Sequence, residues 1–417
     1  MDSATEYRKA VKKTLKSGRI FYVCRDLERA VAGLSCNIPN FFIITNQSPL
    51  SQKYSKVYSN IKTIKSKKLF DTHELLALPQ VKKLITKKDF VLVFKNTNLI
   101  ESLCQKNNWK LLNPQASLAA QAEEKISQVK FLGPLKKYLP NVKIVLGKDL
   151  KWRGKKFILQ YNRAHTGAGT FLISSAKQLE QIKKDFPNRE IRISDFIEGP
   201  FFTNNNCVWD KKIMLGNINF QITGLFPFTD NPFATVGNDW ALPHRTLNEK
   251  LFNQYIKIVG KVGQKLGQAG WKGLYGIDTV LETKTGKIFL IEINARQPAS
   301  TTYESQLQQT IGINHDGLTI FEAHVGALLK IKNKYQLIKI IDGAQIIQRI
   351  TKKITKLKNP VKNKNYNFIK YNNTKIGADL MRIQSLSGIM KNPKQLNENG
   401  KHILKYTNSS KELKIEN

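Results

Sequence analysis

The sequence predicts a chain of mixed class: a parallel α/β domain over residues 1–115, then α+β segments, and a small basic β-rich region over 331–417. Three observations carry that expectation. Short apolar strands alternate with helical patterns across the first 115 residues, as in a parallel sheet covered on both faces. Strand–turn–strand patterns follow at 156–173 and 273–296. From 331 onward the chain turns basic, with 19 Lys and Arg against 5 Asp and Glu.

"GRIFYVCRDLERAVAGL" reads as a strand running into a helix, and "NFFIITN" and "DFVLVFKN" as further apolar strands. "HELLALPQVKKLI" and "ESLCQKNN" carry helical spacing. No G-x-G-x-x-G follows the first strand, so a dinucleotide site is not supported. "SLAAQAEEKISQVKFLGPLKKYL" is helical, "KFILQYNRAHTGAGTFLI" is strand, glycine-containing turn and strand, and "SAKQLEQIKKDF" is an amphipathic helix. "EIRISDFIEGPFFTNNNCVW" begins another strand segment, and "LFNQYIKIVGKVGQKLGQAGW" is a long helix ending at glycines. "FPFTDNPFATVGNDWALPHR" reads as a long loop, and long loops in compact domains usually carry function. "NFIKYNNTKIG" and "KHILKYT" read as short strands. There are no internal repeats.

At roughly 150 residues per domain, this length corresponds to about two to three domains. Hydrophobic content is 41%, enough for a sizeable core. No apolar run approaches the ~20 residues that cross a bilayer, so no membrane partner is expected. The start lacks an apolar h-region, and the four cysteines are scattered without a Cys-x-x-Cys, which fits a cytoplasmic, reducing setting. The formal charge is +37, a field that attracts polyanions. Its lysines are spread over the whole chain, so a nucleic-acid partner ranks below a composition bias.

The chemistry concentrates in "GLYGIDTVLETKTGKIFLIEINAR". A three-residue loop, Lys284-Thr285-Gly286, suits a type I turn ending in a left-handed glycine. It pairs Thr283 with Lys287 and sets Asp278 opposite Glu292. Alternation then puts Asn294 and Arg296 on the face of Glu292, with Phe289, Ile291 and Ile293 on the other face beside Ile277, Thr279 and Leu281. Two opposed carboxylates repel unless a cation lies between them. Oxygen ligands from Asp278, Glu292 and Asn294 suit Mg²⁺ or Mn²⁺. The alternative is a solvated polar face, against which stands the apolar "IFLI" just before Glu292.

These residues resemble the metal-binding hairpin of the ATP-grasp superfamily, in its branch of biotin carboxylase and carbamoyl-phosphate synthetase. The resemblance covers about 115–330. It implies a pre-ATP-grasp domain at 1–115, an ATP-grasp domain at 116–330 with a small lobe near 150–200 and a large lobe near 201–330, and a basic C-terminal region. It implies ATP and Mg²⁺ (or Mn²⁺) as cofactors and an ADP-forming carboxylate–amine ligase, with small-molecule carboxylate and amine as partners; a homodimer is compatible with it. Lys125 stands where the family carries a lysine reaching the phosphates. "HTGAGT", with Gly167 and Gly169, is similar to the loop covering them. "ISDFIEGP" is similar to the adenine hinge, the backbone of Asp195 and Ile197 holding the base. Arg296 is the implied catalytic arginine, acting on the transferring group.

The chain also departs from the pattern. Gln160 stands in place of a second lysine, Phe201 in place of a ribose-binding acid, and "QPASTTYES" in place of Val-Glu-His. On the acceptor side, Arg245 is a candidate for a substrate carboxylate, with His165 and His244 as candidate bases or ligands. Two alternatives stay open: a biotin-type carboxylase using bicarbonate, and a non-catalytic nucleotide- or nucleic-acid-binding protein on the same scaffold. "IMKNP" lacks the usual framing of a biotin acceptor.

Overall fold

The computed structural model describes residues 2–162, 169–312, 316–352 and 365–407. Five parallel strands open the chain: β1 (Ile20–Cys24), β2 (Phe41–Asn46), β3 (Ile61–Ile64), β4 (Phe90–Leu92) and β5 (Lys110–Leu111), in the order β3-β2-β1-β4-β5. β1 is buried at every position, as a strand covered on both faces must be. One face packs on helices Thr72–Ala77 and Asn98–Lys106. The other packs on helix Ser3–Leu15 and on Trp209 and Phe321 from the rest of the molecule. The parallel α/β expectation holds.

A four-stranded antiparallel sheet follows, β6 (Lys143–Leu146), β7 (Phe157–Tyr161), β8 (Thr170–Ile173) and β9 (Glu190–Asp195), in the order β6-β9-β7-β8. Phe157, Leu159, Ile191 and Ile193 point to one side, into a small core with Leu179 of helix Ala176–Asp185. Period two sends Gln160, Arg192 and Ser194 to the other side.

The third sheet comprises β10 (Phe201–Trp209), β11 (Lys212–Met214), β12 (Asn219–Thr223), β13 (Thr235–Asp239), β14 (Gly273–Leu281), β15 (Ile288–Asn294), β16 (Ala344–Arg349), β17 (Tyr366–Lys370) and β18 (Asp379–Ser385). Its order is β15-β14-β10-β12-β13-β16-β18-β17, with β11 beside β10. Helix Glu249–Gln268 covers it with Tyr255, Ile258, Val259, Val262 and Leu266, at the i, i+3, i+4, i+7 spacing of an apolar stripe. Each such side chain gains about 1.5–3 kcal/mol on leaving water. Gly270, at φ +91°, turns the chain out of that helix. β16, β17 and β18, from the basic C-terminal region, extend this sheet, while Met390–Asn392 and Gln395–Leu396 pair as a separate two-stranded sheet.

Two sequence expectations need correction. "KHILKYT" lies in helix Glu398–Thr407; Gly400, Ile403 and Thr407 recur at helical spacing and are buried, a pattern too short to separate from alternation in sequence. The supposed long loop at 226–245 contains β13 and runs into helix Leu242–Thr246.

Candidate active site

The β14–β15 hairpin sets Asp278 opposite Glu292 and Gly276 opposite Asn294. The pairing is as expected, but its route is different. Glu282 N–H donates to the Lys287 carbonyl at 2.9 Å, and Gly286 N–H to the Glu282 carbonyl at 2.9 Å, so the loop has four residues, Thr283 to Gly286. Thr279 then faces Leu290, while Asp278 faces Glu292. Ile291 is the extra residue, a β-bulge that restores the register. Gly286 is left-handed at φ +67°, as the turn requires.

The bulge corrects the faces too. Ile288, Leu290 and Ile293 enter the core with Ile277 and Leu281. Phe289, placed on the core face by simple alternation, instead lines a cavity with Lys287. The cleft face therefore carries Lys287, just before β15, and Phe289 ahead of the bulge, then Glu292 and Asn294 after it.

Asp278 Oδ1 accepts from Thr203 Oγ1 at 2.6 Å, and Oδ2 accepts from Asn294 Nδ2 at 3.0 Å. Burial, then the Glu292 charge, pushes Asp278 up to about 6. Burial also raises Glu292, but Lys125 Nζ at 2.7 Å, Arg296 and Arg192 outweigh it and hold Glu292 below its usual value. Among the described residues no three His, Cys, Asp or Glu side chains gather as a metal site. The set here is two carboxylates and an amide. Its oxygens are hard donors, and the raised pKa of Asp278 beside Glu292 marks a place that favours positive charge, so the residues fit Mg²⁺.

Lys125 is placed by a break in the helical run. Helix Ala116–Glu123 stops, Glu124 is extended, and helix Ser127–Leu132 restarts. Asn162 at the end of β7 clamps the break: its carbonyl accepts Lys125 N–H at 3.2 Å, its Oδ1 accepts Ile126 N–H at 2.9 Å, and its Nδ2 donates to Glu124 Oε2 at 2.9 Å. Gln160 Nε2 donates to Thr170 Oγ1 at 3.2 Å. Its neighbour across the sheet is Arg192, 1% exposed. Arg192 donates to Gln128 Oε1 at 3.1 Å and to the Lys125 carbonyl at 3.4 Å. Burial pushes its pKa down to about 10, with Glu292 pulling the other way. Sequence reading missed Arg192, because one charge within a strand looks like a solvated position.

Asp195 and Ile197 line a cavity of about 610 Å³ at the crossing between the two antiparallel sheets, with Leu139, Glu282, Lys287 and Phe289. Asp195 N–H donates to the Pro140 carbonyl at 3.0 Å, and its carboxylate lies 3.6 Å from Arg153 and 3.5 Å from Lys155. Gly169 is buried, its carbonyl accepting Tyr161 N–H at 3.1 Å. Gly167 and His165 lie outside the described residues.

Arg296 pairs with Glu123, which also takes Lys95 Nζ at 2.9 Å. Gln297, opening "QPAST", is drawn to the N-terminal domain: its N–H donates to the Phe94 carbonyl at 2.9 Å and its Nε2 to the Arg29 carbonyl at 2.8 Å. Arg245 donates to the Met390 carbonyl at 2.7 Å. With His244 it lines a separate surface concavity of about 720 Å³. Neither residue lines the hinge cavity.

No protein-family model and no curated protein matches the chain. Solved structures do match. Carboxyaminoimidazole ribonucleotide synthase from Aspergillus clavatus, complexed with ATP, is 15% identical at TM-score 0.62, covering 93% of this chain and 97% of its own. Biotin carboxylase from Campylobacter jejuni, also an ATP complex, is 14% identical at 0.63, covering 89% and 88%. L-amino acid ligase from Bacillus licheniformis is 12% identical at 0.62, covering 93% and 96%. At these identities the likeness is one of fold, and the chain shares the fold of these three proteins.

Proposed function

We propose that the chain is an ADP-forming ligase that activates a small carboxylate with ATP for attack by an amine. One observation carries this reading: the hinge cavity and the Asp278–Glu292–Asn294 set lie along one face of β15, on either side of the Ile291 bulge. With Ile291 bulged out, Phe289 and Glu292 stand opposite Val280 and Asp278, two residues or roughly 7 Å apart along the partner strand, a span within the reach of a nucleoside triphosphate. The base would lie in the cavity against Phe289 and Ile197. Glu282, two residues beyond the strand partner of Phe201, is the acid within reach of the ribose.

Phosphoryl transfer needs positioning and charge neutralisation above all. Lys125 and Arg192 supply the positive charge that Gln160 lacks. Mg²⁺ held by Asp278, Glu292 and the Asn294 oxygen would neutralise phosphate charge there. Arg296 stands two residues past Asn294 and would steady the transferring group. The substrate carboxylate attacks the γ-phosphorus, ADP leaves, and the amine then displaces phosphate from the acyl phosphate.

The test is ADP release across amino acids, hydroxy acids and bicarbonate, with hydroxylamine to trap an acyl phosphate. Hydroxamate formation with one carboxylate class supports the ligase. Turnover with bicarbonate and no amine moves the reading to a carboxylase. Silence throughout, with salt-sensitive RNA binding, sinks it.

A further inference from the structure

Beside the candidate nucleotide site, three parts of the chain bring cations together, one of which has no carboxylate partner among the described residues. Arg382 of β18 pairs with Glu28 of the segment after β1 at 2.6 Å, and Tyr371 donates its hydroxyl to the same carboxylate at 2.5 Å. The next residue, Arg29, has no carboxylate or hydrogen-bond partner for its guanidinium among the described residues; it lies 5.4 Å from the Phe94 ring centroid. Phe94 and Arg29 are both tied to Gln297 through their carbonyls, and Gln297 follows Arg296. Arg296 and Lys95 share Glu123.

Of the four cations in this ring, Arg382 pairs with Glu28, and Lys95 and Arg296 share Glu123. Asp26, Asp379 and Glu292 also act on Arg29, Arg382 and Arg296 respectively, yet among the described residues the Arg29 guanidinium is the one of the four without an ion pair. Water reaches the ring: the Lys95 side chain is 24% exposed and that of Arg296 is 25% exposed. Burial first, and then Arg296 and Arg382, depress the pKa of Arg29 against the opposing pull of Glu28 and Tyr22. Desolvated like charges without partners are unfavourable, and a bound anion removes that cost. Arginine forks favour planar or tetrahedral oxyanions.

We propose that this junction binds a small substrate carrying two negative charges on oxygen, a phosphate ester or a dicarboxylate, with Arg29 as its dedicated cation. The inference deepens the ligase reading and rests on it for the direction of the substrate, since Arg296 joins the ring to the metal carboxylates.

The experiment is isothermal titration of the full chain with inorganic phosphate, succinate and acetate. Mg·AMP-PNP is held saturating, so that the γ-phosphate position is filled. We expect phosphate or succinate to bind once per chain and at least ten times more tightly than acetate. Arg29→Gln should weaken that binding at least tenfold, Arg29→Lys should recover part of it, and neither should alter AMP-PNP affinity. Preference for phosphate identifies an ester, and preference for succinate a dicarboxylate. Equal binding in Arg29→Gln and the native chain, or no preference over acetate, overturns the proposal. If AMP-PNP does not bind, the ATP reading fails separately; the same titrations without nucleotide still decide the role of Arg29.

Discussion

The two walls of the cleft are built differently. The β14–β15 wall belongs to the largest core of the molecule and presents acids: Asp278, Glu292 and, at the hinge, Glu282. The β7–β9 wall sits on a core of seven buried side chains and presents Gln160 and Arg192, with Lys125 beside them. The acidic wall has the deeper foundation, and the basic wall carries the uncompensated charge. Lys125 and Glu292 join the two directly. A ligand that brings phosphates and Mg²⁺ together replaces one such contact with several, so loss of either wall's charge should show in binding before it shows in folding.

The largest effect is expected from Glu292→Gln. Several kcal/mol of metal-based charge stabilisation converts to a loss of about 10³-fold or more in ADP formation, with an unchanged circular-dichroism spectrum. Full activity in this variant would remove the acidic wall from the mechanism. Lys125→Ala comes next. A charge-assisted contact of about 1.5–3 kcal/mol corresponds to a rise of roughly 10–100-fold in the KM for ATP.

Arg192→Met sharpens the contrast because its two effects on stability oppose each other. Depression to about 10 in a side chain 1% exposed marks an unfavourable burial of roughly 3 kcal/mol. Loss of its two charge-assisted hydrogen bonds, about 1.5–3 kcal/mol each, acts the other way and matches or exceeds that. The variant should unfold at an unchanged or lower temperature and bind ATP about tenfold more weakly; unchanged binding would make Arg192 purely architectural.

The pH dependence follows from Asp278. Its pKa of about 6 exceeds the ordinary 3.8, so its contribution to metal-free stability is full below about 4 and is lost as pH rises through 6. Mg²⁺ needs the ionised form, so stabilisation by Mg²⁺ should grow across that window; thermal melts with and without MgCl₂ from pH 5 to 8 would read it. The smallest effect is expected from Gln160→Lys, within about threefold in ATP affinity, because Arg192 already supplies charge next to it and like charges weaken each other.

Much of this was legible in the sequence. The parallel domain, the long helix and the opposed carboxylates all declare themselves through periodicity and turn chemistry. The run "IFLI" did not: four apolar residues carry no alternation, so neither the four-residue loop nor the bulge at Ile291 left a signal, and two one-residue errors cancelled at Asp278 and Glu292. Arg29 and Glu123 were illegible for another reason. Their importance lies in neighbours more than 150 positions away, and local pattern holds no trace of such contacts.

That cancellation has a consequence for how the site could change. A slip of residues 287–290 by one position along β14, drawing Thr283 into the strand and Ile291 into the pleat, would also leave Asp278 facing Glu292. It would exchange the sides taken by residues 287–290, turning Phe289 inward and Leu290 toward the hinge cavity. The carboxylate pair and the lining of that cavity are therefore separable by register alone, with no change in any residue.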